Sequence, residues 1–428
     1  MAVLLLWIKG DNVTHYALLS TGFYQKMPSS LLSPQRGEDY GEGKIIVLLC
    51  EPKAHGRFLS MNSIRQNIKT LIPDKLEERI VGMGLKKFRA TQVFEWIYGH
   101  HAASFDEMTN IAKAERLLLA ERFYISHLQA LKTECSTDGT KKFLFELEDK
   151  HTIESVLIPD EGRSTLCISS QVGCAQACRF CLTGSGGFRR NLEAFEIADQ
   201  VLAVEKILAA EPAAAPGKGP SCEGFRHITN IVLMGMGEPL ANFDHVLNAL
   251  RIITADRGPR FSPRRVTLST DGLVPEIDKL GRSGMKVNLA VSLNATTDEV
   301  RNRIMPVNKR YPIKELLAAC RRFPLDERRK ITFEYVMLRE VNDSEEDALR
   351  LTKLLRGIRC KVNLIPFNPF PGSEFKRPDD LVVQHFKKIL ANHHYTALVR
   401  ESRGRDISAA CGQLRERLTP SPVSSAIP

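Results

Sequence analysis

The stretch QVGCAQACRFC, residues 171–181, brings Cys174, Cys178 and Cys181 within eight residues, spaced by three residues and then by two. Thiolates are soft ligands that suit zinc or iron–sulfur clusters. A structural zinc site takes four protein ligands. No second Cys or His pair stands nearby at finger spacing, since His151 and His227 are each alone. Three cysteines can instead hold three irons of a four-iron, four-sulfur cluster and leave the fourth iron open to a substrate or cofactor. The spacing favours the cluster, with zinc or simple buried thiols as the alternatives.

Further segments bear polar or reactive groups in suggestive settings. MGMGEPL, residues 234–240, has glycines that let a backbone approach a ligand, and Glu238 can accept from an ammonium group. A plain strand-to-helix turn or a phosphate-binding turn has the same pattern. RGRDISAACGQL, residues 403–414, sets Cys411 between Ala410 and Gly412, where its neighbours shield it little. An isolated cysteine is otherwise a small buried hydrophobe. Cys167 precedes the first cysteine of the triplet by seven residues and sits inside an apolar run, where core packing is its ordinary role.

The elements that must position these groups follow from the apolar pattern. After residue 165, short apolar runs alternate with amphipathic stretches: TLCIS, NIVLMG, RVTLS, KVNLAVSL, ITFEYVML and KVNLIPF. Near-continuous apolar strands separated by helices imply a parallel sheet covered by helices. Six such repeats predict a partial (β/α)6 barrel, with chemistry at the C-terminal ends of its strands. The cysteine triplet directly follows the first of these strands. Between the first two strands, Ile197, Val201, Val204 and Leu208 recur on one helix face. KKFLFELE and TIESVLIP predict a leading hairpin turning at DKH, with Glu154 as a charge on its solvent face. AAEPAAAPGKGPS, residues 209–221, reads as a surface loop.

Ahead of this domain, residues 61–135 read as a small helical accessory module. In KKFRATQVFEWIYGHH, Phe88, Phe94 and Ile97 fall near one helix face, with Trp96 and Tyr98 beside it. Such a module either binds nucleic acid or only shields the main domain. Residues 1–60 show no sustained periodicity and read as a poorly structured extension, with Met61 just before the first coherent helix. Residues 416–428 read as a disordered tail. The domain between, 136–415, carries the chemistry.

The 428 residues are 43% hydrophobic and 26% charged, which is ordinary globular composition. Sixty Lys+Arg against fifty Asp+Glu give +10, a modest basic surplus that suits a polyanionic partner. Basic groups at 86–89 (KKFR), 189–190 (RR) and 262–265 (SPRR) are candidates to grip phosphates, or are solvated faces. The ten cysteines form no secreted-type framework, no stretch approaches a membrane span, and the apolar start lacks signal-peptide features. A reduced, cytoplasmic setting is expected.

The Cys-x3-Cys-x2-Cys loop after the first strand of a partial barrel resembles the radical S-adenosylmethionine enzymes. The whole set, IESVLIP, CISSQVGCAQACRFC, GMGEPLAN, RRVTLSTDG, VSLNA, EYVMLREVND, NLIPFNPFPG and GRDISAACGQL, resembles one family within them, the RlmN-type adenine-C2 methyltransferases, over about residues 64–415. The resemblance implies a [4Fe–4S] cluster on Cys174, Cys178 and Cys181. It implies S-adenosylmethionine contacts at Gly237, Glu238, Ser269, Ser292, Leu293, Asn294 and Asn368, with Asn294 standing where some members carry histidine. It further implies that Cys411 is methylated by one S-adenosylmethionine. A second is cleaved at the cluster, and the radical so formed takes hydrogen from the S-methyl group. The methylene radical adds to C2 of adenine, Glu154 removes the C2 proton, and Cys167 attacks the sulfur of Cys411 to release the product, leaving a transient disulfide. The implied substrates are an adenine of 23S rRNA in the peptidyl-transferase centre and the adenine next to the anticodon in tRNA, with an electron donor such as flavodoxin. Methylation at C8 by the sister group is the nearest alternative, and a non-catalytic zinc module that binds RNA is a distant one.

Overall fold

The computed structural model describes residues 2–9, 12–19, 43–50, 65–160, 162–211 and 227–415. It divides into two units, Met1–Ser63 and Ile64–Pro428.

In the first unit, strands Ala2–Lys9, Asn12–Leu19 and Gly43–Cys50 form an antiparallel sheet with Ala2–Lys9 in the middle. The expectation of a poorly structured extension is corrected for these three stretches. VLLLWI and KIIVLL are unbroken apolar runs, so they show no alternation of the kind that marks a half-buried strand. The turn-rich segment 29–42 lies outside the described residues, as do Met61, residues 212–221 of the Pro/Ala/Gly-rich insertion and the tail 416–428.

The second unit opens with the helical module: α1 (Pro73–Gly82), α2 (Phe88–Tyr98) and α3 (Lys113–Arg122). Pro73 starts α1, where its fixed φ suits a first helical turn and its missing N–H is not needed. Leu76 and Ile80 of α1 and Ala90, Val93 and Ile97 of α2 are buried. The buried face of α2 is therefore rotated from the one read in the sequence. Phe88, its first residue, is 50% exposed, with the Arg89 guanidinium 4.9 Å from its ring centroid.

A ten-stranded sheet follows in which every strand lies beside its neighbours in the chain. Its first four strands, β1 (Gln129–Cys135), β2 (Lys141–Glu146), β3 (Thr152–Asp160) and β4 (Arg163–Cys167), run antiparallel. From β4 onward the sheet is parallel: β5 (Asn230–Leu233), β6 (Val266–Thr270), β7 (Asn288–Ser292), β8 (Ile331–Met337), β9 (Cys360–Pro366) and β10 (Ala397–Val399). β1 and β10 stand at the two ends, so the barrel is partial, as predicted. The six expected barrel strands are all present.

Two strands went unforeseen. β10 is only three residues long, and β1 is exposed along most of its length, with no apolar alternation to mark it. Because β1 pairs with β2, the barrel domain begins ahead of residue 136 and takes in Gln129–Cys135. The crossovers include α4 (Ala194–Ala210), α5 (Phe243–Thr254) and α6 (Val274–Arg282). Ile197, Val201, Val204 and Leu208 of α4 are fully buried, as their spacing requires. Lys69 of the helical module reaches α4 and bonds both Asp199 oxygens at 2.9 Å, with both side chains buried. Among the described residues no helix is long and apolar enough to cross a membrane.

Candidate active site

β4 ends at Cys167, and the chain then forms a short ribbon in which Gln171–Gly173 pairs with Phe188–Asn191. Gly173 has φ +73, and a Cβ there would stand 1.9 Å from the Gly187 carbonyl oxygen. Only glycine can occupy this position. The Cys174 N–H donates to that same carbonyl at 2.9 Å, so the glycine fixes where the cysteine loop begins. The loop closes with the Cys181 N–H donating to the Cys178 carbonyl at 3.1 Å.

All three thiols line a cavity of about 170 Å³ at the C-terminal ends of the strands. Burial pushes the Cys174 thiol up to about 12 and the Cys178 thiol well above its ordinary value. Thiols held this way become thiolates when a metal takes the place of the proton. Among the described residues no three His, Cys, Asp or Glu side chains gather as ligands of a single ion would. The three thiols line one cavity as soft donors, one short of the four that a structural zinc takes, and this donor set fits the iron–sulfur reading better than zinc.

The opposite wall is the turn after β5. Gly237 has φ +98, and a Cβ there would lie 2.5 Å from the Gln171 Cβ. The Gln171 Oε1 accepts from the Glu238 N–H at 2.9 Å, locking this turn to the cysteine ribbon. The Glu238 carboxylate accepts from the N–H groups of Leu240 at 3.0 Å and Asp271 at 2.9 Å. Burial and the Asp271 charge hold its carboxyl well above the usual range. Ser269, Ser292, Asn294 and Asn368 line the same cavity, each from the end of a strand or just beyond it. Asn294 has φ +59, which asparagine tolerates better than most residues. Its Oδ1 accepts from the Val336 N–H at 2.7 Å, so its side chain ties two strand ends together while lining the site.

Leu293 is the exception among the expected cofactor contacts. Its side chain is fully buried and does not line the cavity, and only its backbone takes part, donating to the Glu334 carbonyl at 3.0 Å.

Cys411 borders two cavities. It lines the one described above and a second that also contains Cys167, Val156 and Leu414. The loop carrying it docks on the cysteine loop, where the Leu182 N–H donates to the Gly412 carbonyl at 2.7 Å. The Asn368 Nδ2 donates to the Cys411 carbonyl at 3.3 Å. Cys167 is buried, and its thiol is pushed up to about 12 by burial, with the Arg400 guanidinium opposing.

Glu154 is not the solvent-facing charge that the hairpin pattern suggested, because its residue is 1% exposed. Its Oε2 accepts from the Arg415 N–H at 3.0 Å, and the Lys142 ammonium lies 3.5 Å from its Oε1. β3 faces other elements on both sides, so an alternating pattern could not reveal this burial. Val156 pairs with Cys167 across β3 and β4, and Glu154 stands two residues from Val156. Glu154 and Cys167 therefore share one face of the sheet.

Sequence reasoning missed Arg301. Its residue is fully buried, and its guanidinium donates to the carbonyls of Leu293 at 2.9 Å, Asp271 at 2.6 Å and Ser292 at 3.1 Å, and to Asn308 Oδ1 at 3.0 Å. It braces the loops after β6 and β7 behind the cavity. Arg400, which lines both cavities, was missed as well. Neither sits in a pattern that sets it apart from a surface arginine.

Of the basic groups, Arg89 pairs with Glu115 at 2.8 Å and Arg190 with Glu196 at 2.7 Å. Arg264 and Arg265 precede β6, at the end of the strand away from the cysteines.

Residues 66–125 match the model of the ribosomal RNA large subunit methyltransferase N-terminal domain, and residues 168–352 match that of the radical SAM superfamily. The chain is 54% identical over 354 residues to a dual-specificity RNA methyltransferase RlmN of Pelobacter propionicus, covering 83% of this chain and 97% of the relative. It is 53% identical over 352 residues to the RlmN of Geobacter sulfurreducens, covering 82% and 92%. A crystal structure of a radical SAM methyltransferase from Sphaerobacter thermophilus superposes with a TM-score of 0.74 at 44% identity, covering 82% of this chain and 99% of that one. With the cysteine loop, the glycine–glutamate turn and Cys411 gathered at the open end of a partial barrel, the chain belongs to the RlmN family of radical SAM methyltransferases.

Proposed function

We propose that the protein methylates C2 of adenine in 23S rRNA, in the peptidyl-transferase centre, and of the adenine next to the anticodon in tRNA, using two S-adenosylmethionine per turnover. The carrying observation is the position of Cys411, shared between the cavity of the three cysteines and the cavity of Cys167. A group carried on that sulfur can face the radical source on one side and the resolving thiol on the other.

C2 is an electron-poor sp2 carbon that does not displace a methyl group from a sulfonium as an amine does. The cluster and S-adenosylmethionine, when bound, supply the methyl group and the carbon-radical chemistry that this carbon requires. The protein does the rest. Cys174, Cys178 and Cys181 hold the cluster. Gly237, Glu238, Ser269, Ser292, Asn294 and Asn368, with the Leu293 backbone, shape the place for S-adenosylmethionine. Cys411 carries the one-carbon unit to the base, and Glu154 takes the C2 proton as general base. Cys167 then attacks the Cys411 sulfur. A disulfide forms, the bond from that sulfur to the transferred carbon breaks with its electron pair left on the carbon, and that carbon takes up a proton to become the methyl group of the released product.

An adenine inside a helix is shielded, so the target is unstacked into the site. The family match over residues 66–125 supports an RNA-facing role for the helical module. Reducing equivalents come from a donor such as flavodoxin, and a cytoplasmic setting suits both the thiols and the RNA. The test is anaerobic turnover of the iron-loaded protein with unmodified 23S rRNA and with tRNA in separate reactions, followed by nucleoside mass spectrometry. 2-Methyladenosine is expected from both. 8-Methyladenosine in its place would transfer the reading to the sister activity.

A further inference from the structure

Asp271 stands one residue beyond β6 and lines the cavity of the three cysteines beside Glu238. It is 7% exposed, and neither oxygen of its carboxylate has a hydrogen-bond partner. Its backbone, by contrast, is engaged on both sides. The N–H donates to Glu238 Oε2 at 2.9 Å, and the carbonyl accepts from the Arg301 guanidinium at 2.6 Å.

A buried carboxylate without donors is costly to keep. Of the two charged neighbours, the Glu238 carboxyl can share a proton with it, while the Arg301 guanidinium favours its charge without bonding it. Arg301 directs its donors to three carbonyls and to Asn308. Glu238, the ammonium acceptor read from the sequence, has each oxygen already accepting a backbone N–H, from Leu240 and from Asp271 itself. The geometry thus gives Glu238 the task of fixing the loop and leaves the free acceptor to Asp271. An RNA phosphate is the wrong charge for this end of the cavity, where two carboxyl groups adjoin. A cation suits it.

We propose that Asp271 is a cofactor-binding residue whose carboxylate receives the amino group of S-adenosylmethionine, with Glu238 as the positioning residue that holds the Asp271 backbone. This rests on the radical S-adenosylmethionine reading of the site and adds a contact to it. The amino group enters with hydrogens to donate, and the two open Asp271 oxygens accept them, so the satisfied site appears only with the ligand in place.

Binding, not turnover, tests this. The full-length, iron-loaded protein is titrated anaerobically with three probes: S-adenosylmethionine, S-adenosylhomocysteine, which keeps the amino group but lacks the sulfonium charge, and 5′-methylthioadenosine, which lacks the amino acid part. Asp271→Asn should weaken the first two alike, by roughly tenfold or more, as expected for loss of one charge-assisted hydrogen bond. It should leave 5′-methylthioadenosine unchanged, with iron content as in the parent. If Asp271→Asn fails to hold iron, Asp271→Ser is read in its place, and loss of iron in both variants would show the residue to serve the cluster and overturn the proposal. Unchanged affinity for S-adenosylmethionine would overturn it too, as would weakening of that probe alone, which would place the sulfonium there. If the parent protein binds none of the probes, the radical S-adenosylmethionine reading itself fails, an outcome distinct from a parent that binds and a variant that matches it.

Discussion

Cys411 and Cys167 share a cavity, yet only Cys411 also faces the three cysteines. That asymmetry separates their phenotypes. Cys411→Ala should form no covalent adduct with RNA, because the sulfur that carries the one-carbon unit is gone. Cys167→Ala should accumulate one, because addition to the base precedes the step it serves. Each variant is purified from RNA-containing cells, treated with nuclease and weighed by mass spectrometry. A Cys167→Ala protein with its cluster intact but no residual nucleotide would mean that the roles are misassigned. The Cys167 thiol carries a second prediction. Burial raises it to about 12, so at neutral pH it is almost entirely protonated and its thiolate fraction grows as pH rises toward that value. Alkylation of Cys167 in the Cys411→Ala background, followed by peptide mass spectrometry, should increase by about tenfold per pH unit from pH 7.5 to 9.5. A plateau within that range would place the thiol much lower. That Cys411 and Cys167 meet at one cavity could be expected only through the resemblance, since by their own segments each reads as an ordinary buried thiol. Asp271 and Arg301 were not legible, since an orphaned carboxylate and an arginine bonded to carbonyls look, in sequence, like any other surface charges.

At the scale of elements, the ribbon holding the cysteines depends on one glycine. Gly173→Ala combines a left-handed φ with a Cβ on top of a carbonyl oxygen, so the backbone must move where Cys174 is set. The variant should fold but lose most of its iron, as read by iron and sulfide analysis after anaerobic reconstitution. A full complement of iron would show that the ribbon does not set the cluster loop. The tie between the helical module and α4 offers another measurement. Lys69 and Asp199 are buried and doubly bonded, and removing one partner leaves an uncompensated charge. Lys69→Met should cost about 3–5 kcal/mol, and Lys69→Met with Asp199→Leu should recover much of that loss. Thermal unfolding of the three proteins checks it, and a double variant no better than the single would put the destabilisation in packing. The parallel strands were readable because sheets covered on both faces give unbroken apolar runs. β1 was hidden by its exposed Gln, Lys and Thr residues, and β10 by its length.

At the scale of the whole molecule, the two units divide at residues 63 and 64, and the family matches begin at residue 66. A chain starting at Met61 should therefore fold, take up a cluster and methylate RNA at the parent rate. Loss of any of these would make the first unit part of the enzyme. The barrel was legible in the sequence because its apolar runs alternate with amphipathic helices. The strands at 2–9, 12–19 and 43–50 were not, because no such helices set their apolar runs apart. The convergence of the cysteine loop, the glycine–glutamate turn and residues 403–414 could be expected only through the resemblance to known enzymes, since more than 220 residues separate Cys181 from Cys411. The central claim is that this site methylates C2 of adenine through Cys411. It is tested most directly by digesting 23S rRNA and tRNA from cells lacking the gene, and from the same cells given back the parent protein or Cys411→Ala, and measuring methyladenosines by mass spectrometry. 2-Methyladenosine should be missing without the gene, return with the parent and stay missing with Cys411→Ala. Its return with Cys411→Ala, or the return of 8-methyladenosine in its place, would contradict the claim.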